Sequence, residues 1–302
     1  MPLNRLWNEA AKAGQKPLKP DATYKKILIE GKPKTGKTTF GSTCPKPFYL
    51  DTDGGLATLV GTKYKYLSVN REMLDGLGGA VISLLNDAIH AKGHFAPDGI
   101  YGDRETFVID SIHKLAQWVK EETMLYIVKP ARDPLTQKPG YDHWAIIGNT
   151  LAQIGDLICL LAQTRMNVVG LIGVKDITVE VVNEKGKNEM KKVGTGPNLE
   201  GKIKSIIGHW WDEVWVLDKT KRGLTIKYSA YTGVYKDFEG LGSRSSLPTE
   251  VENPSYAKVC AALNAKAGLK PMSKVTPKPM SKTTSKVTPK TPVIRKLKMK
   301  SK

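Results

Sequence analysis

Between Glu30 and Gly41 the chain reads EGKPKTGKTTFG, with glycines at Gly31 and Gly36 and with Lys37 and Thr38 directly behind the second. Glycine, four residues, then Gly-Lys-Thr is the spacing of a loop that cradles phosphates. Glycine admits the backbone conformations that turn several N–H groups toward one anion, and a helix following the loop adds its positive end. Gly31, Lys32, Pro33, Lys34, Thr35, Gly36, Lys37, Thr38 and Thr39 are therefore the expected nucleotide cradle, for ATP with Mg²⁺. In it Lys37 would reach the β and γ phosphates, and the Thr38 hydroxyl would ligate the metal. The competing reading is a Gly/Lys-rich surface turn. Against it stands the order of the flanks, an apolar KKILIE before the loop and a helix-compatible KTTFGSTC after it.

A nucleotide triphosphatase needs a second carboxylate on the metal side, and TFVIDS offers Asp110 at the end of an apolar strand, with Ser111 next to it. Beside the phosphate loop in the sheet, Asp110 would hold Mg²⁺ through water; its plainer role is to end a strand or cap a helix. Hydrolysis also needs a group that orients or deprotonates the attacking water. In FYLDTDGG, Asp51 and Asp53 follow a strand and precede a pair of glycines, so either carboxylate can face the γ-phosphate, or both simply solvate a turn.

These residues need elements to hold them. KKILIE, KPFYLDTD, ETFVIDS and MNVVGLIGV are short apolar runs ending in polar or small residues, the pattern of buried parallel strands. Trp144, Ile147, Leu151, Ile154, Ile158 and Leu161 recur at three and four residues, one face of an amphipathic helix. Strands alternating with helices predict an α/β sheet with its ligand site at the strand carboxyl ends. DEVWVLDKTKRGLTIKYSAYTG has the shorter alternation of antiparallel strands, and TVEVVNEKGKNEMKKV reads as a hairpin. Trp210, Trp211 and Trp215 sit in an apolar stretch and are expected to pack rather than to stack on bases. His113, three residues after Asp110, is expected to cap a helix or lie at the surface.

The 302 residues are 40% hydrophobic, enough for one ordinary core with extra segments. Cys44, Cys159 and Cys260 lie far apart without ligand spacing, which suggests a reduced compartment. The N-terminus has no signal-peptide pattern and no apolar run nears membrane-spanning length, so the expected location is the cytoplasm, that of the host if the chain is phage-encoded. The formal net charge is +18, and thirteen Lys and Arg with no Asp or Glu lie from Lys258 onward. The repeats PMSK and KVTPK beyond Leu269 have little to bury, so this segment is expected to be a disordered basic arm, solubilising or in contact with nucleic acid or an acidic protein partner.

Taken together, GKPKTGKTTFGSTCPKPFYLDTDGGLATL and TFVIDSIHKL resemble the RecA-like ATPases, in particular a phage branch associated with single-strand annealing and recombination. The resemblance extends more weakly from about residue 25 to 250. It implies a RecA-like P-loop core with a mostly parallel sheet flanked by helices and antiparallel strands toward the C-terminus. The expected layout is an N-terminal extension at 1–24, an ATPase domain at 25–268 and a tail at 269–302. Catalytic roles would fall to Lys37, Asp53 and Asp110, with Thr38 and Asp110 at the metal. RecA carries Glu where Asp53 stands, and a shorter carboxylate must approach the water more closely. The polar residue that senses the γ-phosphate at the end of a later strand would be Lys175 or Asp176 here, in place of Gln or His. Filaments or rings of this lineage complete the site with a neighbour's cations, for which Lys219, Lys221, Arg222 and Arg244 are candidates by position. Two loops would meet single-stranded DNA, through Lys129, Arg132, Lys138 and Tyr141 in the first and Lys185, Lys187, Lys191 and Lys192 in the second. The implied protein is a homo-oligomer that promotes annealing or strand exchange. Its alternatives are a nucleotide-dependent scaffold with little turnover and a small-molecule kinase, the latter leaving the basic tail without a role.

Overall fold

The structure is a computed structural model that describes residues 24–59, 64–127, 139–182, 188–201, 203–222, 225–243 and 247–266. The expectations placed on Lys129, Arg132, Lys138, Lys185, Lys187 and Arg244, on the Arg222 side chain, and on the segments 1–23 and 269–302 lie outside the described residues.

In chain order the elements are β1 (Lys26–Glu30), α1 (Lys37–Ser42), β2 (Pro47–Asp51), β3 (Lys65–Ser68), α2 (Leu77–His90), β4 (Thr106–Asp110) and α3 (Ile112–Glu122). There follow α4 (Tyr141–Thr164), β5 (Asn167–Ile172), β6 (Val174–Val182), β7 (Asn188–Pro197), α5 (Ile203–Ile206), β8 (Glu213–Arg222), β9 (Thr225–Tyr231), β10 (Gly242–Ser243), β11 (Glu250–Glu252) and α6 (Tyr256–Lys266). One sheet runs β11-β9-β8-β1-β5-β4-β2-β3, with β10 on β8. From β8 to β3 the neighbours are parallel, and β9, β10 and β11 join antiparallel. This is a P-loop α/β core: a mostly parallel sheet between helices, with a strand inserted between the phosphate-loop strand and the strand bearing Asp110.

The predicted parallel strands β1, β2, β4 and β5 are buried along their whole length. Alternation of side chains divides the core into two layers. Ile27 and Ile29 pack with Phe40 of α1, while Leu28 packs with Leu151, Ile154 and Ile158 of α4. The expected apolar face of α4 is thus buried on the sheet, and it accommodates the Trp210 ring only because position 155 is glycine. By length and composition α4 is apolar enough to cross a membrane, but its apolar stripe packs here against the core.

Two placements differ from expectation. β4 does not neighbour β1; β5 lies between them. β8 is antiparallel to β9 as predicted, but its first half also pairs in parallel with β1. The predicted hairpin is present as β6 and β7, a two-stranded sheet outside the main one.

Candidate nucleotide site

β1 is held between β5 and β8 and delivers the chain to Gly31, where there is no space for a side chain: an added Cβ would lie 2.7 Å from the Leu217 carbonyl oxygen. Gly36 turns the loop into α1 with φ +90°, a conformation that favours glycine. Between them, Thr35 donates to the Lys32 carbonyl at 2.9 Å. The Lys37 ammonium donates to the carbonyls of Gly31 at 2.8 Å and Lys32 at 2.9 Å, bracing the loop from inside. Burial lowers the Lys37 pKa, and the carboxylates of Asp110 and Asp53 oppose that shift.

Although β5 intervenes, the end of β4 reaches the loop. The Thr38 hydroxyl donates to Asp110 Oδ2 at 2.7 Å. Burial pushes the Asp110 carboxyl up to about 6; the Thr38 hydrogen bond opposes this, and the nearby charges of Asp53 and Asp51 add to it. A buried carboxyl short of positive charge beside a threonine hydroxyl is a donor set that suits a hard dication. Among the described residues no group of three or more His, Cys, Asp or Glu could hold a metal ion. An ion bound here would be held by one or two protein oxygens, with the remainder from phosphate and water.

The two candidate carboxylates after β2 are now distinguishable. Asp51 is buried and spent on the turn: its Oδ1 accepts the Gly54 and Gly55 N–H groups at 2.9 and 3.2 Å, and its Oδ2 accepts the Ser68 hydroxyl at 3.2 Å. Asp53 is exposed; its Oδ2 accepts the Ser111 hydroxyl at 3.1 Å and its Oδ1 the Gly55 N–H at 2.9 Å. Its charge acts on Lys37, Asp110 and His113. The structure therefore gathers Lys37, Thr38, Asp110 and Asp53 around one point at the strand carboxyl ends.

Thr52 fixes the spacing of this cluster, and nothing in the local sequence marks it. Its hydroxyl donates to the Ser111 carbonyl and accepts the Ser111 N–H, both at 2.7 Å, while its own N–H donates to the Asp110 carbonyl at 2.7 Å. The ends of β2 and β4 are thereby locked together. His113, picked out by its spacing from Asp110, is the second residue whose role the sequence did not reveal. Neither a free surface group nor a cap, it is half-buried, and its Nδ1 accepts the N–H of Gly173, the residue that follows β5, at 3.2 Å. Third is Tyr228, whose ring stands 3.6 Å from where a Gly36 Cβ would lie. With Thr39, Asn253 and Pro254 it lines a cavity of about 300 Å³ beside the loop, room for the base end of a nucleotide.

The remaining candidates lie further out. Lys175 and Asp176 are exposed on β6 rather than closing β5, and Asp176 pairs with Lys192 at 2.9 Å. Lys192 also pairs with Asp237 at 2.7 Å, so it is engaged at the hairpin base. Lys191, Lys219 and Lys221 are exposed, and Tyr141 is 88% exposed at the start of α4.

A sequence profile of a family described as an AAA domain matches residues 23–239. No curated protein sequence matches the chain. Among solved structures, similarity is found to the flagellar accessory protein FlaH from Methanocaldococcus jannaschii, at 13% identity and a TM-score of 0.33, over 76% of this chain and 85% of that one. It is also found to a KaiC-like protein from Pyrococcus horikoshii OT3, at 11% identity and a TM-score of 0.35, over 69% of this chain and 78% of that one.

Proposed function

This chain belongs to the AAA-domain family, and we propose that it is a RecA-like ATPase that binds ATP with Mg²⁺, hydrolyses it, and couples the cycle to single-stranded DNA as a homo-oligomer that promotes annealing or strand exchange. The observation that carries the nucleotide chemistry is the convergence of Lys37, Thr38, Asp110 and Asp53 on one point. In this reading the Gly31–Thr39 loop wraps the phosphates, and Lys37 exchanges its two carbonyl partners for phosphate oxygens. Thr38 and Asp110 would hold the metal, which when bound neutralises charge building on the transferred phosphoryl group. Asp53 orients the attacking water and takes its proton, with Ser111 and Gly55 fixing the carboxylate. Tyr228 and Pro254 offer the faces against which a base can pack.

The DNA part of the proposal is supported by the hairpin β6–β7. Lys175 and Lys191 are exposed on it, and the charge of Lys32 in the phosphate loop acts on Asp176 near its base. The hairpin also carries Asp176, Glu180 and Glu189, so it is the two exposed lysines, within electrostatic reach of the nucleotide, that are suited to follow a phosphate backbone. A cytoplasmic location and an acidic partner for the basic tail belong to the same proposal.

One observation favours a nucleotide-dependent scaffold with little turnover: each oxygen of Asp53 already accepts a hydrogen bond within the chain. Steady-state ATP hydrolysis with and without single-stranded DNA separates the two, using the parent, Lys37→Ala and Asp53→Asn. For the motor, DNA-stimulated turnover is expected, lost in Lys37→Ala together with nucleotide binding, and reduced about 10²- to 10⁴-fold in Asp53→Asn with binding kept. Nucleotide-dependent DNA binding without turnover would establish the scaffold, and indifference to DNA in both assays would end the recombination reading.

A further inference from the structure

Directly before the phosphate loop, Glu30 is 2% exposed. Its main chain is sealed between β5 and β8, so what it presents to its surroundings is the side chain. Strand alternation puts that side chain on the Leu28 face, away from α1. There it lines a cavity of about 440 Å³ whose walls include Pro197, Ile207 and Val214, with Lys204 and Glu239 as further charged groups. Glu30 Oε2 is fully buried and has no hydrogen-bond partner. Only one other buried side-chain atom among the described residues shares that condition, the indole Nε1 of Trp211. Trp211 lines an adjoining cavity of about 310 Å³ that shares Gly208, Val214 and Gly240 with the first.

Buried polar atoms left unsatisfied are uncommon, and each is costly. A buried carboxyl without a partner beside this hollow points to a missing occupant, whereas the Trp211 indole N–H is a donor that needs an acceptor and says nothing for a cation. The occupant's chemistry follows from the walls. An acid without a counter-charge, a second carboxylate and a single lysine favour a cation, whereas the apolar walls favour a carbon body over a bare ion. Among the described residues no cluster of three or more metal-ligating side chains exists here or elsewhere. We propose that this hollow is a binding site for a small organic ammonium ion, held by the Glu30 carboxylate on the far face of the sheet from the phosphate-loop helix.

Burial raises the Glu30 pKa to about 8. At pH 7 the empty site therefore holds a neutral acid, and an arriving ammonium ionises it and releases the proton to solvent. The test is calorimetric titration of 1,4-diaminobutane into the full chain without nucleotide, so that it does not depend on the ATPase reading. It is run at pH 7 in phosphate and in MOPS, whose acid form is a zwitterion of no net charge; their different ionisation heats count protons. One-to-one binding with release approaching one proton per ligand is expected, fading at pH 9, where Glu30 is already ionised. Glu30→Gln, which copies the neutral acid, should fold and lose at least tenfold in affinity together with the proton release; butane-1,4-diol should not bind. Binding without proton release would place the amine on surface carboxylates and overturn the proposal, as would binding unchanged in Glu30→Gln or no binding at all. Displacement by KCl at the same concentration would assign the site to an inorganic ion and overturn it too. The proton count on the parent chain decides the matter even if the variant does not fold.

Discussion

The Asp110 carboxyl is the residue on which pH should act most directly. Its proton must leave before the carboxylate can serve a dication, and burial holds that proton up to about pH 6. Metal-dependent nucleotide affinity is therefore expected to be flat above pH 7 and to fall about tenfold per unit once the pH drops below the carboxyl pKa. Fluorescent-nucleotide titrations with and without Mg²⁺ between pH 5 and 8 would check this, with Asp110→Asn as the variant that has no such dependence. Glu30 produces the complementary effect on stability. Its folded pKa of about 8 lies above that of an ordinary glutamate, so the folded state holds the proton more tightly. That contribution is complete below the unfolded pKa and is lost as the pH rises through the window to about 8. Glu30→Gln should be more stable than the parent by about 3 kcal/mol at neutral pH and equal to it near pH 4, as read from urea midpoints. Lys37, Thr38 and Asp110 were legible because the phosphate loop and the strand-ending acid are local patterns. Thr52 and Tyr228 were not, since each acts on a residue distant in sequence and carries no local mark; His113 was marked by its place after Asp110, but its contact with Gly173 was not.

At the scale of elements, local pattern reveals strand type but not strand order. β1, β2, β4 and β5 were readable as short apolar runs because parallel strands are covered on both faces. That β5 inserts between β1 and β4 is decided by how the helices cross over, which no strand records. β8 misled for a related reason: its first half is buried beside β1, whereas its second half pairs only with β9 and runs out exposed. The helices have their own fixed points. Glu122 at the end of α3 is buried, and its Oε2 accepts the Gly78 N–H at 2.9 Å, so one carboxylate caps the start of α2. On α4 a Cβ at Gly155 would lie 2.1 Å from the Trp210 ring. Gly155→Ala is expected to cost about 1–3 kcal/mol by overpacking, despite the better helix propensity of alanine. Thermal unfolding beside Gly148→Ala, where an added Cβ meets nothing within 4 Å, would check it, because the control should be neutral or stabilising.

For the whole molecule, charge is the property that links the parts. Lys192 is held between Asp176 and Asp237, which ties the hairpin to the segment after β9, whereas Lys175 and Lys191 are left to the solvent. If the hairpin follows a single strand, Lys175→Ala with Lys191→Ala should lower the slope of log affinity against log salt by about 1.4, at roughly 0.7 per phosphate contact. Lys192→Ala should instead destabilise the hairpin base and leave the slope nearly unchanged. Anisotropy titrations of a labelled oligonucleotide at several salt concentrations distinguish the two. The sheet has a further consequence, in time rather than in energy. Ile27 pairs with Glu213 on one side, and Lys26 with Val168 on the other. During synthesis from the N-terminus, the strand that carries the phosphate loop is made early, yet it has no neighbour until β5 and then β8 have left the ribosome. A nascent chain halted before β8 has emerged would expose one edge of β1 and leave Gly31 without the Leu217 carbonyl it packs against. Nucleotide binding is thus a property the chain acquires only once β8 has emerged and paired.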